Sequence, residues 1–264
     1  MDLRGAVVVV TGASAGFGEL ASVRFARAGA RVVLAARRLP RLEAIAAWIE
    51  RRGGQALPVR CDVTDLASLG ALRDRVLDAC GRCDVLVNNA GVPGGGRFER
   101  QGEEDIERVL RTNLWGLIHA TRLFLPGMLE RGRGHVVNVA SLGGRFATPG
   151  AAVYGATKHA VVAFTEALYH EVAPRGVLVT SVNPGLSRTE GFRQEGVPDA
   201  FLVDPDRVAR RIVDVVRHDR APEVSIPRAF APFQLFRILT PRVYRWGVRT
   251  ATRRLLLRAR PERP

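Results

Sequence analysis

The sequence predicts an α/β fold, with a doubly wound, seven-stranded parallel sheet, helices on both faces and a helical extension at the C-terminus. Short β-branched apolar runs alternate with longer segments of helical period, which is typical of βαβ units. Several of these runs are apolar throughout, as in parallel strands that are covered on both faces. The chain has 264 residues, 47% of them hydrophobic, and can therefore bury one large core.

The seven apolar runs and the segments between them give the order of the elements. The predicted strands are Ala6–Val10, Arg31–Ala35, Gln55–Arg60, Asp84–Val87, His135–Val139, Val177–Val182 and Glu223–Ile226. The predicted helices are Gly18–Ala28, Pro40–Arg51, Leu66–Ala79, Glu103–Glu130 (broken or bent), Ala152–Val172 and Asp204–His218. Crossovers of this length are right-handed in nearly all proteins, which produces a doubly wound sheet.

Cysteine content and hydropathy narrow the class of protein. The chain has three cysteines, an odd number that argues against a disulfide framework and for a reducing, cytoplasmic compartment. Cys80 and Cys83 have redox or metal spacing, but no second Cys or His cluster lies near them in the sequence. Helix-end packing is therefore the favoured interpretation, and no metal site is predicted. Neither a signal peptide nor an apolar stretch long enough to span a membrane is visible.

Positive charge is concentrated near the C-terminus. The net charge is +14, and from Ser225 onward there are ten arginines and one acidic residue, Glu262. The basicity therefore belongs to a tail. Nucleic-acid binding is unfavoured as an interpretation because no recognition motif accompanies these arginines.

A glycine-rich loop, Thr11–Gly18, connects the first predicted strand to the first predicted helix. Glycine at this turn permits a close approach of the backbone to a pyrophosphate. The helix N-terminus adds free N–H groups and a favourable dipole for phosphate. The loop therefore predicts a dinucleotide cofactor.

The end of the second strand distinguishes NAD(H) from NADP(H). An acidic residue there would hydrogen-bond the ribose hydroxyls and repel a 2′-phosphate, whereas this chain has Arg37 and Arg38. Two guanidinium groups can bind the phosphate through charge-assisted hydrogen bonds, which favours NADP(H). An ordinary basic helix start is the alternative interpretation.

A tyrosine–lysine pair provides candidate proton-transfer chemistry. Lys158 is the only lysine among 40 Lys and Arg residues, and it follows Tyr154 by four residues. That spacing is one helical turn, so the two side chains share a helix face. A nearby ammonium should lower the pKa of a phenol from about 10 toward neutrality.

The motifs, taken in chain order, resemble those of the short-chain dehydrogenase/reductase family over roughly residues 3–226. They are Thr11–Gly18, Asp62-Val63, Asn88-Asn89-Ala90-Gly91, Asn113-Leu114-Trp115-Gly116, Ser141, Tyr154-Gly155-Ala156-Thr157-Lys158, and Asn183-Pro184-Gly185 with Thr189. The resemblance implies a Rossmann-fold catalytic domain over residues 1–226, with a substrate loop at about 186–203. Residues 227–264 then form a basic amphipathic extension.

The resemblance also implies roles for individual residues. It implies a catalytic tetrad in which Tyr154 is the general acid and base, Ser141 stabilises an oxyanion, Lys158 binds ribose and Asn113 holds a relay water. Asp62 should contact the adenine, and Asn89 should support the cofactor. The cofactor-binding set is Gly12, Ser14, Gly16, Phe17, Gly18, Arg37, Arg38, Asp62, Val63, Asn89, Ala90, Gly91, Tyr154, Lys158, Pro184, Gly185 and Thr189.

The implied activity is an NADP(H)-dependent interconversion of a carbonyl and a secondary alcohol. The expected substrate is lipophilic, of steroid, long-chain keto or acyl type, which suggests lipid metabolism, and reduction is the expected direction. A homodimer or homotetramer is expected. A dehydrogenase of small polar alcohols and a non-catalytic NADP-binding redox sensor stay open as alternatives.

The tail has the pattern of an amphipathic helix preceded by aromatic residues. Helical spacing from Arg242 onward places two sets of side chains on opposite stripes. The basic stripe is Arg242, Arg245, Arg249 and Arg253, and the apolar stripe is Tyr244, Val248, Ala251 and Leu255; Phe230, Phe233 and Phe236 precede them. Such a helix can lie on an anionic membrane surface. Packing on its own domain or on a partner subunit is the alternative.

Overall fold

The structure is a computed structural model that describes residues 1–192, 197–227 and 237–258, except for the side chains at 249 and 251–258. The aromatic residues Phe230, Phe233 and Phe236 of the tail lie outside the described residues.

Within the described residues, seven parallel strands form one sheet in the order β3-β2-β1-β4-β5-β6-β7. The strands are β1 (Val7–Thr11), β2 (Arg31–Ala36), β3 (Gln55–Arg60), β4 (Val85–Asn88), β5 (Gly134–Val139), β6 (Val177–Pro184) and β7 (Glu223–Ile226). The predicted doubly wound sheet is confirmed. The direction of winding reverses between β1 and β4, which is where such sheets bind ligands at the carboxyl ends of their strands.

Eight α-helices are present in the described part of the chain. They are α1 (Gly16–Arg27), α2 (Leu39–Glu50), α3 (Leu66–Cys80), α4 (Glu103–Leu110), α5 (Gly116–Glu130), α6 (Ala152–Val172), α7 (Pro205–Arg217) and α8 (Pro241–Arg258). The predicted break within residues 103–130 is confirmed, because a π-helical turn, Arg111–Trp115, separates α4 from α5. None of the helices described is both long and apolar enough to cross a membrane.

Both faces of the sheet are covered, which explains the continuously apolar strands. Side chains alternate between the faces along a strand. Val8 of β1 belongs to the same core cluster as Phe25 of α1, whereas Val9 belongs to the opposite cluster with Leu72 of α3. All four side chains are fully buried.

A buried chain of polar side chains joins strands β4 and β5 to helices α5 and α6. The Asn88 amide donates to Asn138 Oδ1 and to Thr121 Oγ1, both at 2.9 Å. The Asn138 amide in turn donates to Thr165 Oγ1 at 2.9 Å. Because Thr121 lies on α5 and Thr165 on α6, these bonds fix both helices against β4 and β5. Buried polar groups with partners specify one arrangement of the packed elements.

His135 on β5 is a buried histidine held in its neutral form. Its Nε2 lies 2.8 Å from Thr180 Oγ1. The Thr180 hydroxyl already donates to the carbonyl oxygen of Arg220 at 2.7 Å, so Nε2 is the donor to Thr180. Nδ1 then carries no proton, and it has no hydrogen-bond partner among the described residues. Burial accordingly lowers the pKa of His135 from 6.5 to about 4.

This pKa makes His135 an acid-sensitive point of the fold. Between pH 6.5 and 4 the unfolded chain binds a proton at this histidine and the folded chain does not, so the free energy of unfolding falls as the pH drops. We expect this one group to remove about 2 kcal/mol of stability between pH 7 and pH 5. Between pH 7 and pH 5, the unfolding free energy of the His135→Gln variant should therefore fall by about 2 kcal/mol less than that of the unmodified protein, measured by urea unfolding.

The matched control is His218→Gln, because His218 is exposed just after the last residue of α7. Its unfolding free energy should keep the pH dependence of the unmodified protein. An unchanged pH dependence in His135→Gln would contradict the assignment of the acid-sensitive group.

Candidate active site

A cleft of about 680 Å³ opens at the carboxyl ends of the central strands. Every residue that the sequence predicts for cofactor binding or catalysis lines this cleft, except Gly18 and Asn113. Those two are buried beside it. The topology therefore brings the predicted site residues together in one place.

The glycine loop is packed so closely that side chains would not fit. A Cβ atom on Gly12 would lie 2.8 Å from the Cα of Ala90, and one on Gly18 would lie 2.4 Å from the carbonyl oxygen of Gly12. Gly12 also has a φ of 66°, in the left-handed region that glycine tolerates. The loop backbone therefore forms the floor of the cleft without intervening side chains.

Two polar side chains hold the loop against the next strand. The Asn89 amide donates to the carbonyl oxygens of Thr11 and Gly12 at 3.0 and 3.2 Å. The Thr11 hydroxyl oxygen accepts the backbone N–H groups of Asn89 and Ala90 at 3.0 and 3.1 Å. Asn89 thus supports the loop that the sequence assigns to the cofactor.

Arg37 and Arg38 stand exposed at the end of β2, on the rim of the cleft. The Arg38 guanidinium donates to Ser14 Oγ from Nε and Nη2, at 3.2 and 3.1 Å. It also forms an ion pair with Glu190. A cationic pair therefore marks one end of the cleft, and the glycine loop orients one member of it.

Asp62 and Val63 line the wall after β3. Asp62 Oδ1 accepts hydrogen bonds from the backbone N–H and the hydroxyl of Thr64, at 2.9 and 2.8 Å. Val63 packs where Gly116 leaves space, since a Cβ on Gly116 would lie 2.7 Å from the Val63 carbonyl oxygen. This contact brings the start of α5 close to the cleft wall.

Asn113 lies in the π-helical turn and is only 1% exposed. Its amide nitrogen donates to the Val92 carbonyl oxygen at 2.9 Å, and its Oδ1 accepts the Val92 N–H at 2.8 Å. This reciprocal pair fixes the segment after Ala90-Gly91 in the cleft wall. A Cβ on Gly91 would lie 3.3 Å from Asn113 Oδ1 and 3.8 Å from Lys158 Nζ, so glycine keeps the space between these two groups open.

Ser141 follows β5 and faces Tyr154. Its Oγ accepts the backbone N–H of Gly143 at 3.0 Å and donates to the Pro184 carbonyl oxygen at 3.5 Å. A Cβ on Gly143 would lie 3.4 Å from Ser141 Oγ and 3.5 Å from the Tyr154 ring, so the two side chains flank the same open position.

Tyr154 and Lys158 lie one turn apart on α6, as the sequence predicts, but the expected effect on the phenol is wrong for this structure. Burial raises the pKa of Tyr154, against a smaller lowering by its hydrogen bond with Ser141. Lys158 Nζ lies 5.8 Å from the centre of the Tyr154 ring and donates to the Val139 carbonyl oxygen at 2.9 Å. The ammonium is thus directed toward the end of β5, and its charge does not offset the burial of the phenol.

Lys158 is itself strongly affected by its surroundings. The side chain is only 5% exposed. Burial disfavours the charged form and lowers the pKa of Lys158 from 10.5 to about 8. The lysine is therefore poised to exchange a proton close to neutral pH, which an arginine in its place could not do.

The segment after β6 completes the cleft with Pro184, Gly185 and Thr189. Thr189 packs on the glycine loop, since a Cβ on Gly16 would lie 3.3 Å from Thr189 Cβ. Phe192 stands edge-on to Tyr154, with ring centres 6.0 Å apart. The start of the predicted substrate loop therefore touches both the cofactor-binding loop and the candidate proton donor.

Sequence reasoning missed the acceptor of Lys158, the partner of Asn113 and the ion pair between Arg38 and Glu190. The first two partners are backbone groups of Val139 and Val92, and no residue type signals a backbone acceptor. Glu190 is separated from Arg38 by more than 150 residues of sequence, and only the return of the chain after β6 brings them together.

Cys80 and Cys83 are both free thiols. Burial raises the pKa of both thiols above its ordinary value, which makes them poor nucleophiles and metal ligands. Cys83 is buried, and its Sγ lies 3.4 Å from the Val85 carbonyl oxygen, so this thiol packs where α3 leads into β4.

Comparisons with known proteins agree with this geometry. Residues 6–197 match the family described as short chain dehydrogenase. A putative ketoacyl reductase of Streptomyces coelicolor is 41% identical over 226 residues, which are 83% of this chain and 87% of that protein.

Two solved structures show the same fold with a nicotinamide cofactor. A short chain dehydrogenase/reductase from Burkholderia phymatum in complex with NAD superimposes with a TM-score of 0.79 and 28% identity, covering 100% of this chain and 99% of that one. A variant of actinorhodin polyketide ketoreductase with NADPH gives a TM-score of 0.77 and 33% identity, covering 84% and 95% of the two chains.

Proposed function

Because the chain belongs to the short-chain dehydrogenase/reductase family, we propose that it is an NADP(H)-dependent reductase that converts a ketone of a lipophilic substrate into a secondary alcohol. Family membership and the ketoacyl reductase relative support an oxidoreductase that acts on carbonyl or alcohol groups. The choice of NADP(H), the substrate class and the residue roles are the proposal. One observation carries it: Tyr154, Ser141 and Lys158 line the same cleft as Arg37 and Arg38.

The cleft fits a dinucleotide by its backbone as well as by its charges. The glycine loop excludes side chains from the floor, and no side chain among the described residues caps the first turn of α1. The N–H groups of that turn remain suited to a pyrophosphate. Gly12, Ser14, Gly16 and Phe17 would hold the phosphates, and Asp62 with Val63 would hold the adenine.

The arginines favour a 2′-phosphate over a bare ribose. Both lie on the rim at the end of β2, where an acidic residue would be needed to bind ribose hydroxyls. Arg38 is already oriented by Ser14, so its guanidinium is preorganised for an anion. The related structures contain either NAD or NADPH, so the preference rests on these two residues.

The catalytic groups suit proton donation to a ketone. When bound, the cofactor supplies the hydride. Tyr154 donates its proton to the substrate oxygen, and Ser141 donates a hydrogen bond to the same oxygen. Because burial holds the pKa of Tyr154 above its ordinary value, the phenol is protonated at neutral pH, as a donor in the reductive direction must be.

Lys158 and Asn113 serve this step in different ways. With a pKa of about 8, Lys158 can return a proton toward Tyr154 near neutral pH and donate hydrogen bonds to the cofactor ribose. Asn113 uses both ends of its amide on Val92, so we assign it a positioning role in the cleft wall, in addition to the relay water that the family resemblance implies.

A lipophilic substrate fits the residues around the mouth of the cleft. Leu186 and Phe192 line the cleft beside the candidate proton donor. Phe201, further along the predicted substrate loop, is 71% exposed. The relative from Streptomyces coelicolor is a putative ketoacyl reductase, and the actinorhodin enzyme is a polyketide ketoreductase, which supports an acyl-type ketone as substrate.

The direct test is NADPH consumption by the full chain against keto forms of steroids, long-chain ketones, β-ketoacyl thioesters and retinal, with small polar alcohols assayed alongside by the reduction of NADP+. Tyr154→Phe should reduce turnover at least about a hundredfold, because it removes the general acid. Its affinity for NADPH, measured by fluorescence titration, should stay within about threefold, because the phenol oxygen is a minor part of the cofactor site.

The control is Tyr169→Phe, which removes a hydroxyl from the same helix outside the cleft. Its activity should match that of the unmodified protein. Retained activity in Tyr154→Phe would overturn the catalytic assignment. Turnover of small polar alcohols alone would favour the second enzyme class, and NADPH binding without turnover of any substrate would favour a redox sensor.

The proposal extends to the oligomeric state and the cellular compartment of the protein. We propose a homodimer or homotetramer, since Trp115 is 54% exposed and stacks on His119 with ring centres 5.3 Å apart, which leaves an aromatic pair at the surface where the π-helical turn leads into α5. The three cysteines, all in the free thiol state, agree with the proposed cytoplasmic compartment.

Helix α8 supports peripheral contact with an anionic membrane. Tyr244 and Val248 are half-buried, and the Tyr244 ring centre lies 6.5 Å from that of Phe146, so this stripe packs on the catalytic domain. Arg242 and Arg245 are exposed, as predicted for the basic stripe.

A third stripe of α8 is apolar and turned outward. Val243 and Trp246 are 54% and 69% exposed, and Leu239 before the helix is 68% exposed. Arginines beside exposed aromatic and aliphatic side chains match the groups that bind anionic lipid at a membrane interface. Among the α8 side chains that the structure describes, packing on the domain leaves Arg242, Val243, Arg245 and Trp246 exposed.

Liposome sedimentation tests this contact with the full chain and vesicles of phosphatidylcholine with or without phosphatidylglycerol. Binding should require phosphatidylglycerol and weaken with salt, because the arginines act through screened charge. A Val243→Ser/Trp246→Ser variant should bind several-fold more weakly, whereas the control Leu66→Ser, at a 57% exposed apolar residue of α3, should not. Equal binding by all three proteins, or no binding to charged vesicles, would contradict the proposal.

A further inference from the structure

A short hairpin after β6 connects the two ends of the cleft. Thr189 and Phe192 exchange backbone hydrogen bonds in both directions, each 3.1 Å long, which leaves Glu190 and Gly191 at the tip. One end of the hairpin packs Thr189 on the glycine loop, and the other holds Phe192 against the ring of Tyr154. Hairpin 189–192 is therefore in contact with both the cofactor loop and the candidate proton donor.

The tip of hairpin 189–192 reaches the arginine assigned to the 2′-phosphate. Arg38 uses Nε and Nη2 for Ser14, and Nη1 for the carboxylate of Glu190. The hydrogen bonds to Ser14 leave the Nη1 side of the guanidinium for an anion, and in this structure that anion is Glu190. The Arg38 guanidinium also lowers the pKa of Glu190, so the carboxylate is ionised at neutral pH.

We propose that Glu190 is a specificity-determining residue that competes with the 2′-phosphate of NADP(H) for the guanidinium of Arg38. This inference rests on the proposed function, since it assumes that Arg38 receives that phosphate. A phosphate bound to Arg38 would lie beside the carboxylate of Glu190, and two negative charges on the same guanidinium repel each other. Glu190 must then leave the guanidinium, and hairpin 189–192 is released from that end of the cleft.

NAD(H), which lacks the 2′-phosphate, does not displace Glu190 from Arg38. With that cofactor bound, Arg38 keeps its ion pair with Glu190. Glu190 therefore reduces the preference for NADPH over NADH below what Arg37 and Arg38 would give alone. Because both partners of the ion pair are about half exposed, the effect on affinity should be moderate.

Calorimetric titration of the full chain tests this with two probes that differ by one phosphate, adenosine 2′,5′-bisphosphate and adenosine 5′-monophosphate. Glu190→Gln should tighten binding of the bisphosphate by about two- to fivefold, because the competing charge is gone. Its affinity for the monophosphate should not change. The control Glu104→Gln removes an exposed carboxylate from α4, outside the cleft, and should alter neither affinity.

The outcomes separate this inference from the proposed function. Unchanged or weaker bisphosphate binding in Glu190→Gln, or an equal change for both probes, would overturn the role of Glu190 while the NADP(H) preference stands. Arg38→Ala should lose most of the preference for the bisphosphate. If the unmodified protein binds both probes with equal affinity, the proposed NADP(H) preference itself fails. Matching thermal unfolding midpoints for all variants would show that the changes are local.

Discussion

The buried ammonium of Lys158 is the contact on which the geometry of the site depends. Its hydrogen bond to the Val139 carbonyl oxygen ties α6 to the last residue of β5. Ser141 follows that strand by two residues, and Tyr154 precedes the lysine by one helical turn, so the bond sets their mutual position. The same burial lowers the pKa of the lysine. The charged form loses the water that would stabilise it, and few protein groups replace that water.

Arginine and lysine occupy different environments in this chain. Exposed arginines lie where anions are expected, at the rim of the cleft and along α8. The single lysine is buried, at the position where we propose that a proton is exchanged. Arginine holds its proton at any physiological pH, whereas a desolvated lysine can release it. Hairpin 189–192 joins the two regions, since it contacts Arg38 through Glu190 and Tyr154 through Phe192.

The sequence was sufficient for the sheet and for the identity of the residues in the cleft, because both leave local signals. Apolar runs mark buried parallel strands, as at Val8 and Val9, and glycines mark places without room for a Cβ, as at Gly12. What it could not predict were contacts to backbone groups and between distant segments. Burial raises the pKa of Tyr154, contrary to the expected lowering, and the Lys158 ammonium is directed to the carbonyl of Val139, a contact that no residue type signals. The boundary between residues 226 and 227 stays a prediction, and β7 ends at Ile226.

The pKa of Lys158 can be measured without ambiguity because the chain has a single lysine. Protein labelled with ε-13C lysine should give one side-chain NMR signal, whose chemical shift can be followed as a function of pH. We expect a midpoint close to 8, as burial against the end of β5 requires. A midpoint near 10.5, the ordinary value, would show that the ammonium is solvated and would contradict the proposed proton-exchanging role.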